Sequence, residues 1–320
     1  MRITYTLGRE LIYLLTAIAE KKGEVKAYFL DQIEPRSREK NKIDSIHATL
    51  NLQDDLLTRE TIGEIIMLDS IRAPRNLTRE VTNTAQVYER LSTYDPIAQG
   101  SLKQAYKDLL KEPGIHADYR KEDIAVFYYD ASLGMALPCD EMKKGLKELF
   151  HYLRYGEDQM LIKSCLCHYA IQLYQPFEKE NEKLSRLWQT LLLMREHPSF
   201  EFLAWEKEIL HQKKKYYSCL PGQDHNTDAT KFVIYMLEII NNALSSQLES
   251  CRKLIRPIDR IRYFYTLQLT NFTRKDYILV HKNISMATAS RDLDLGVGMG
   301  IFDKHGSYNQ TTYTCQLPFE

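Results

Sequence analysis

Apolar residues recur at helical spacing along most of this 320-residue chain. The clearest stripe follows the spacing i, i+3, i+4, i+7 and i+8, which places its side chains on one face of an amphipathic helix. Its members are Leu184, Leu187, Trp188, Leu191 and Leu192. A charged turn that begins at Tyr174 leads directly into this helix. Helix N-termini concentrate backbone N–H donors and the positive end of the helix dipole, so the turn is a natural place to hold phosphate.

The first third of the chain has the same helical pattern. The spacing of its apolar residues predicts helices over residues 11–19, 26–33 and 43–57. Pro35 and the charged run at residues 37–42 predict a loop between the last two helices, because proline often interrupts a helix.

Residues 124–128 alternate in a β-rich pattern, and residues 129–134 have the composition of a turn, which together predict a β-hairpin. The segment 160–173 is apolar almost all round, which predicts a helix at the centre of a bundle. The predicted fold class is therefore mainly α, a helical core that carries one short β-hairpin.

The composition is that of an ordinary folded protein, with 44% apolar and 27% charged residues. Its 43 basic and 43 acidic residues give no formal net charge, so no global field attracts nucleic acid or membranes. The six cysteines contain no C-x-x-C pair, which favours reduced thiols in the cytoplasm.

Residues 11–19 end in Ala-Ile-Ala and superficially resemble the apolar region and cleavage site of a signal peptide. Glu10 directly precedes this run, and the same residues suit a first amphipathic helix, which is the interpretation we favour. No stretch reaches the roughly 18 apolar residues needed to cross a bilayer, so no membrane association is expected.

The C-terminal segment differs in charge from the rest of the chain. From Arg252 onward it contains ten Lys or Arg residues and six Asp or Glu residues. Its pattern predicts helices over 257–269, 274–280 and 285–295, followed by two short strands within 301–313. This is the order of a winged helix-turn-helix, which the last helix and the glycine-centred ribbon also resemble.

A winged helix-turn-helix implies DNA as a possible partner. The candidates near the major groove are Ser285, Met286, Thr288 and Arg291, and the candidates on the wing are Lys304, His305 and Asn309. A protein-interaction or dimerisation module with a basic surface is the alternative, since an excess of four charges supports only weak, salt-sensitive binding unless a homodimer doubles the footprint.

The central segment resembles the signature of Fic-domain proteins, HPFx(D/E)GNGRxxR. Residues 175–186 read QPFEKENEKLSR at this place. The resemblance extends over roughly residues 40–250 of the chain. It includes the strand entry and flap at 113–127, the following helix at 136–153, and the closing helices at 216–220 and 228–237.

Family members transfer AMP from ATP to a protein hydroxyl. The resemblance implies a base at the His position, an acidic Mg²⁺ ligand, two glycines and an Asn that form an anion-binding turn, and two Arg that pair with phosphates. The corresponding residues here are Gln175 for the base, Lys179 for the metal ligand, Glu180 and Glu182 for the glycines, Asn181 for the Asn, and Lys183 and Arg186 for the two Arg.

These replacements are unfavourable for the family's chemistry. Gln175 has no titratable nitrogen, and loss of a general base alone costs about 10²- to 10⁴-fold in rate. Lys179 puts a cation where a metal ion should bind. Glu180 and Glu182 each bring a Cβ that disfavours left-handed backbone and a charge that repels phosphate, by ~4 kcal/mol per close pair at an effective dielectric near 20.

A second family motif is also altered. Fic proteins with an inhibitory helix carry (S/T)xxxE(G/N), whose Glu pairs with the second motif Arg. The corresponding stretch, residues 43–48, has His47 in place of the Glu and Ala48 in place of the last residue. Parallel changes at both motifs are typical of an abandoned active site.

Three regions follow from these patterns. Residues 1–95 form an N-terminal helical region with the degenerate inhibitory helix near 43–57, residues 96–250 a Fic-like core, and residues 252–320 the winged helix-turn-helix.

The preferred hypothesis is a catalytically inactive Fic-like protein that acts as a binding or transcription-regulatory module. It predicts no metal and no cofactor. The alternative is an active nucleotidyl- or phosphoryl-transferase that uses ATP and Mg²⁺, with Asn181, Lys183 and Arg186 binding the nucleotide. The family's flap recruits a protein target by strand addition, and its positions here are Tyr128, Tyr129, Asp130 and Leu133.

Overall fold

Helices make up most of the computed structural model. The structure describes residues 3–29, 35–52, 57–68, 73–111, 118–128, 131–222, 224–253, 257–267, 269, 271–281, 284–306 and 311–316. The chain divides into a first unit, Met1–Ser245, and a second unit, Ser246–Glu320. Among the helices in these ranges, none has the length and apolar run needed to cross a bilayer.

The helices that begin in the first unit are α1 (Arg9–Phe29), α2 (Pro35–Asn51), α3 (Arg59–Leu68), α4 (Arg75–Glu89), α5 (Gln99–Leu110), α6 (Cys139–Tyr155), α7 (Met160–Tyr174), α8 (Asn181–Glu196), α9 (Trp205–His211), α10 (Lys213–Tyr217) and α11 (Thr230–Lys253). Two 3₁₀ turns lie at Leu91–Thr93 and Pro198–Phe202. Strands β1 (Ala125–Tyr128) and β2 (Ala131–Met135) lie between α5 and α6.

The centre of the first unit is the pair α7 and α8. Every α7 residue from Leu161 to Tyr174 is buried, which confirms the predicted central helix. Every α8 residue from Asn181 to Leu193 is buried as well, polar residues included. Trp188 of α8 is fully buried, and its indole N–H donates to the carbonyl of Pro96 at 2.9 Å. The turn that joins α7 to α8 therefore begins and ends at helices of the core.

The predicted hairpin is confirmed, but residues 131–134, predicted as part of its turn, belong to β2. β1 and β2 are antiparallel, with Val126 opposite Gly134 and a register shift between Val126 and Phe127. Gly134 has φ +100°, a left-handed value that side chains rarely adopt. The Ala136 N–H donates to the Ile124 carbonyl at 2.8 Å, which extends the pairing beyond the strands.

The predicted gap between residues 19 and 26 is wrong, because α1 runs through it without interruption. Glu20, Lys21 and Lys22 are good helix formers, and Val25 on the next turn is fully buried. Packing of that next turn therefore continues the helix through the polar stretch.

The predicted loop after Pro35 is also wrong, because Pro35 is the first residue of α2 and the charged run lies inside the helix. Proline is tolerated there, since the first helical N–H has no intrahelical partner. The helix predicted near 43–57 ends instead at Asn51. The Asn51 side-chain N–H donates to the Leu57 carbonyl at 2.6 Å, and its side-chain oxygen accepts from the Leu57 N–H at 3.3 Å.

The second unit contains three helices followed by a strand pair, in the predicted order. These are α12 (Pro257–Thr266), α13 (Arg274–Val280), α14 (Met286–Gly298), β3 (Phe302–His305) and β4 (Thr312–Cys315), with β3 and β4 antiparallel. Its apolar core includes Phe264, Phe272, Leu293 and Phe302.

A buried ion pair joins α12 to α14. The Arg260 guanidinium donates two hydrogen bonds to the Asp292 carboxylate, at 2.6 and 2.9 Å. The Tyr277 hydroxyl of α13 lies 3.3 Å from the same carboxylate. Paired Arg–carboxylate bonds fix geometry as well as charge, so all three helices meet at Asp292.

Candidate functional site

The turn between α7 and α8 is formed with unusual backbone angles. Gln175, which ends α7, has φ +44° and ψ +63°, and Glu180, which precedes α8, has φ +64° and ψ +13°. Both lie in the left-handed region, which costs a residue with a Cβ roughly 1 kcal/mol or more. The backbone at Glu180 thus has the left-handed conformation expected for a glycine. Glu182 lies in the first turn of α8, so the expectation of a left-handed backbone at residue 182 is wrong.

Three residues hold this turn in place. Arg120 is buried and donates from Nε to the Gln175 carbonyl at 2.8 Å, and its backbone N–H donates to the Pro176 carbonyl at 2.9 Å. Phe177 is fully buried with its ring stacked on Tyr106, at 3.9 Å between centroids and 13° between planes. These contacts offset the strain at the two ends of the turn.

Asn181 closes the turn from the first residue of α8. Its side-chain carbonyl accepts from the Phe177 N–H at 3.0 Å, and its amide donates to the Phe177 carbonyl at 2.7 Å. Both polar groups of the Asn181 side chain are thus used within the turn.

Gln175 and Lys179 occupy different environments. The Gln175 side chain is buried and its amide donates to the Gln172 carbonyl at 2.8 Å, back along α7. Lys179 lies on the exposed part of the turn. The position predicted for the base therefore holds the Gln175 amide, which is hydrogen-bonded to α7. The position predicted for the metal ligand holds the Lys179 ammonium group on the surface.

Lys183 is paired with two carboxylates. Its Nζ lies 2.8 Å from Glu180 Oε2 and also contacts Glu80 of α4. Burial by itself lowers the pKa of Lys183, but the negative charges of Glu180 and Glu80 outweigh it and raise the pKa. The ammonium group is therefore charged and neutralised by the chain itself.

Arg186 is fully buried on the next turn of α8. Its Nε donates to Thr49 Oγ1 at 2.8 Å and its Nη2 donates to the Thr49 carbonyl at 3.0 Å. Its Nη1 lies 3.6 Å from Glu182 Oε2. The same Glu182 oxygen accepts from the Tyr217 hydroxyl at 3.0 Å. The second basic motif position is thus held by α2 on one side and by a carboxylate of its own helix on the other.

The contact from α2 comes through Thr49, while the predicted inhibitory position, His47, lies two residues earlier and is half-buried. Ser45 and Thr49 are four residues apart and therefore share one helix face. Polar residues at this spacing, within a helix that buries Ile46 and Leu50, were a signal for the contact that sequence analysis missed.

A buried carboxyl group, Glu206 of α9, also went unrecognised in the sequence. It accepts from the Ser45 hydroxyl at 3.0 Å and from the Tyr88 hydroxyl at 2.9 Å. Burial raises the pKa of Glu206 to about 7. Because it joins α2, α4 and α9 beside the motif helix, its protonation state is coupled to packing of the N-terminal helices.

His168 of α7 belongs to the core. Its Nδ1 lies 2.6 Å from Gln189 Oε1 and its Nε2 lies 2.8 Å from the Tyr216 hydroxyl. Burial lowers the pKa of His168 to about 3, so the ring is neutral near pH 7.

The remaining predicted residues lie elsewhere in the molecule. In the hairpin, Tyr128 ends β1 and Leu133 lies in β2, while Tyr129 and Asp130 fall outside the described residues. In the second unit, Ser285 caps α14 by accepting from the Thr288 N–H at 3.1 Å. The candidates there are distributed as follows: Met286 and Arg291 are exposed on α14, Lys304 pairs with Asp294 at 3.2 Å, His305 lies 2.9 Å from Thr314 Oγ1, and Asn309 is outside the described residues.

The raised pKa of Glu206 predicts a specific pH dependence of stability. Its folded pKa of about 7 exceeds the ordinary 4.5, so the folded state binds the proton more tightly. The resulting stabilisation is complete below pH 4.5 and is lost as the pH rises towards 7, by at most ~3 kcal/mol. We expect Glu206→Gln to match the wild type in free energy of unfolding at pH 5 and to be more stable at pH 8, as measured by urea unfolding.

The comparison with the wild type is needed because His168 changes the free energy of unfolding with pH in the opposite direction to Glu206. Its lowered pKa reduces stability as the pH falls below 6.5. His168 is common to both proteins, so the difference between them isolates Glu206. An unchanged difference between pH 5 and pH 8 would contradict the assignment.

The structure of this chain is similar to solved structures of Fic proteins. A Fic family protein from Desulfovibrio desulfuricans superposes with a TM-score of 0.79 at 23% identity, covering 100% of both chains. A Fic domain containing signaling protein from Bacteroides thetaiotaomicron has a TM-score of 0.58 at 15% identity, covering 74% of this chain and 98% of its own. Fic-1 from C. elegans has a TM-score of 0.59 at 14% identity, covering 75% of this chain and 72% of the other.

No family model matches the chain, and no curated protein matches its sequence. The likeness is therefore one of structure, and it extends over the whole chain in the first comparison. The protein has the fold of Fic-domain proteins.

Proposed function

We propose that this protein is a catalytically inactive Fic-fold protein that acts as a binding or transcription-regulatory module. The observation that carries the proposal is the pairing of the two basic motif residues within the chain. Lys183 is held by Glu180 and Glu80, and Arg186 by Thr49 and Glu182. Groups that would otherwise bind phosphate are instead used to hold helices together.

The residues at the turn do not fit ATP and Mg²⁺. Phosphate would have to displace Glu180 from Lys183, and a like charge would remain beside it. The turn offers the Lys179 ammonium group where a carboxylate would hold the metal ion. Gln175, buried and bonded to Gln172, has no nitrogen that could accept a proton from a target hydroxyl.

The alternative function is a nucleotidyl- or phosphoryl-transferase with altered chemistry. It would use Lys179, Lys183 and Arg186 as phosphate ligands and ATP with Mg²⁺ as the donor. The alternative requires Lys183 and Arg186 to leave their present partners, and removing one partner of a buried charge pair costs about 3–5 kcal/mol.

Nucleotide binding distinguishes the two functions. We expect calorimetric titration with ATP and with other nucleotides, each with Mg²⁺ or Mn²⁺, to give no saturable heat, corresponding to a Kd weaker than about 1 mM. Micromolar affinity that is lost in Arg186→Ala would contradict inactivity. Lys215→Ala is the matched control, because Lys215 also pairs with a carboxylate, Glu238 at 2.8 Å, but lies on the exposed face of α10.

For the second unit we propose a winged helix-turn-helix that binds DNA through α14. Asp292 and Leu293 are buried and hold α14 in the core of the unit. Met286 and Arg291 are exposed on the same helix. The basic excess of the segment supports DNA as the partner, whereas the Lys304–Asp294 pair reduces it locally. A protein-interaction or dimerisation module is the alternative.

DNA binding by α14 predicts opposite effects of two substitutions. Arg291→Ala is expected to weaken binding to a random-sequence duplex at low salt by at least about fivefold. Asp294→Asn is expected to strengthen it, because it removes a negative charge and releases Lys304. Electrophoretic mobility shift of the full chain measures both, with Arg75→Ala in the first unit as the control of equal charge. Absence of any shift at low salt would favour the interaction module.

The flap and the cellular location complete the proposal. Phe127 of β1 is 67% exposed and offers an apolar surface beside a strand edge, which supports docking of a protein target by strand addition.

Free thiols support a reducing, cytoplasmic environment. They are carried by Cys139, Cys165, Cys167, Cys219 and Cys315.

A further inference from the structure

A large groove in the first unit borders the motif turn at Tyr174 and is lined by none of residues 175–180. Its volume is about 960 Å³, at the upper end of the range for small-molecule sites. One wall is the exposed face of α6, the other wall is the N-terminal segment at residues 3–5, and Leu149, Leu166 and Tyr174 form a buried floor.

Both walls are fixed to the rest of the fold. Thr4 pairs with the segment before α11, since its N–H donates to the Thr227 carbonyl and its carbonyl accepts from the Ala229 N–H, each at 2.8 Å. The floor is fixed as well, because Gly145 of α6 lets the Tyr174 ring approach so closely that a Cβ would lie 2.5 Å from it. A preformed cavity of this kind loses little conformational freedom when it binds a ligand.

The α6 wall carries two exposed lysines. Lys144 and Lys147 are three residues apart on the helix and both line the groove. Neither makes an ion pair or hydrogen bond within the described part of the chain. They supply positive charge at one end of the groove that is available to a ligand.

The other end of the groove is aromatic. His151 and Tyr155 continue the same face of α6, with ring centroids 4.9 Å apart, and Tyr155 is 64% exposed. Tyr5 and Tyr152 converge on Asp158, donating to its two carboxylate oxygens at 2.6 and 2.5 Å. Both oxygens of this carboxylate therefore accept a hydrogen bond from a tyrosine hydroxyl of the protein.

Besides Asp158, a second acidic residue, Glu148, lines the groove. It lies beside Tyr174, whose pKa is raised to about 12 by burial and by the charge of Glu148. Its negative charge repels an anion near the floor of the groove. Along α6, Glu148 lies next to Lys147. Along the exposed face of α6, Lys144 and Lys147 thus lie towards the start of the helix, and His151 and Tyr155 lie towards its end.

We propose that this groove binds a small aromatic anion, a planar ring compound that carries a phosphate, sulfonate or carboxylate group. The anionic group contacts Lys144 and Lys147, and the ring packs against Tyr155 and its neighbours. Aromatic side chains bind planar rings by stacking, and lysine contacts add charge complementarity. This site goes beyond the proposed function and does not depend on it.

Two fluorescent probes test the proposal on the full chain. 1-Anilinonaphthalene-8-sulfonate is an aromatic anion, and N-phenyl-1-naphthylamine is its neutral counterpart. We expect the double variant Lys144→Ala, Lys147→Ala to raise the Kd of the sulfonate about five- to tenfold and to leave the Kd of the neutral amine unchanged. Tyr155→Ala is expected to weaken the binding of both probes.

Matched controls come from the same protein. Lys143→Ala changes an exposed lysine of α6 outside the groove lining, and Tyr13→Ala removes a ring that is 72% exposed on α1. Neither control is expected to change either Kd. The proposal is overturned if the double lysine variant binds the sulfonate as the wild type does, if Lys143→Ala weakens it equally, or if Tyr155→Ala leaves both probes unaffected.

Discussion

The buried guanidinium of Arg186 is the group on which the first unit depends most. A charge with no exposed surface is tolerated only when hydrogen bonds and opposite charge surround it. Thr49 of α2 and Glu182 of α8 supply these contacts, and Tyr217 of α10 orients Glu182. Three helices that are distant in sequence are thereby joined at one side chain.

Lys183 extends this network to a fourth helix. It connects the start of α8 to Glu80 of α4, so two neighbouring basic positions of the motif both bind the N-terminal helices. Glu206 adds a neutralisable carboxyl group between Ser45 and Tyr88 in the same region. The N-terminal helices thus contact α8 through Lys183 and Arg186, and a ligand at either residue would compete with these contacts.

The sequence predicted the helical core, the hairpin and the order of elements in the second unit, because these follow from local periodicity and turn residues. It did not predict that Pro35 begins α2, because a proline between polar residues fits either a loop or a first helical turn. Thr49, Glu80 and Glu206 were missed for another reason. Their importance comes from contacts with residues more than 100 positions away. Only Thr49, four residues after Ser45, belongs to a local pattern that signals its contact.

The turn itself was predicted only in part. Replacement of glycine by Glu180 implied a change of backbone, but the left-handed conformation is kept at φ +64°. Arg120, Phe177 and Asn181 fix the turn independently of residue 180. The turn thus has a left-handed backbone at a residue that carries a Cβ.

Urea unfolding of Arg186→Met tests most directly whether this residue is now structural. The account predicts a loss of about 3–5 kcal/mol in free energy of unfolding, because Glu182 and Thr49 would be left buried without their partner. Lys215→Met, which removes an exposed ion pair, is expected to change it by less than about 1 kcal/mol. Unchanged or increased stability of Arg186→Met would contradict the account, since residues kept for ligand binding commonly reduce stability.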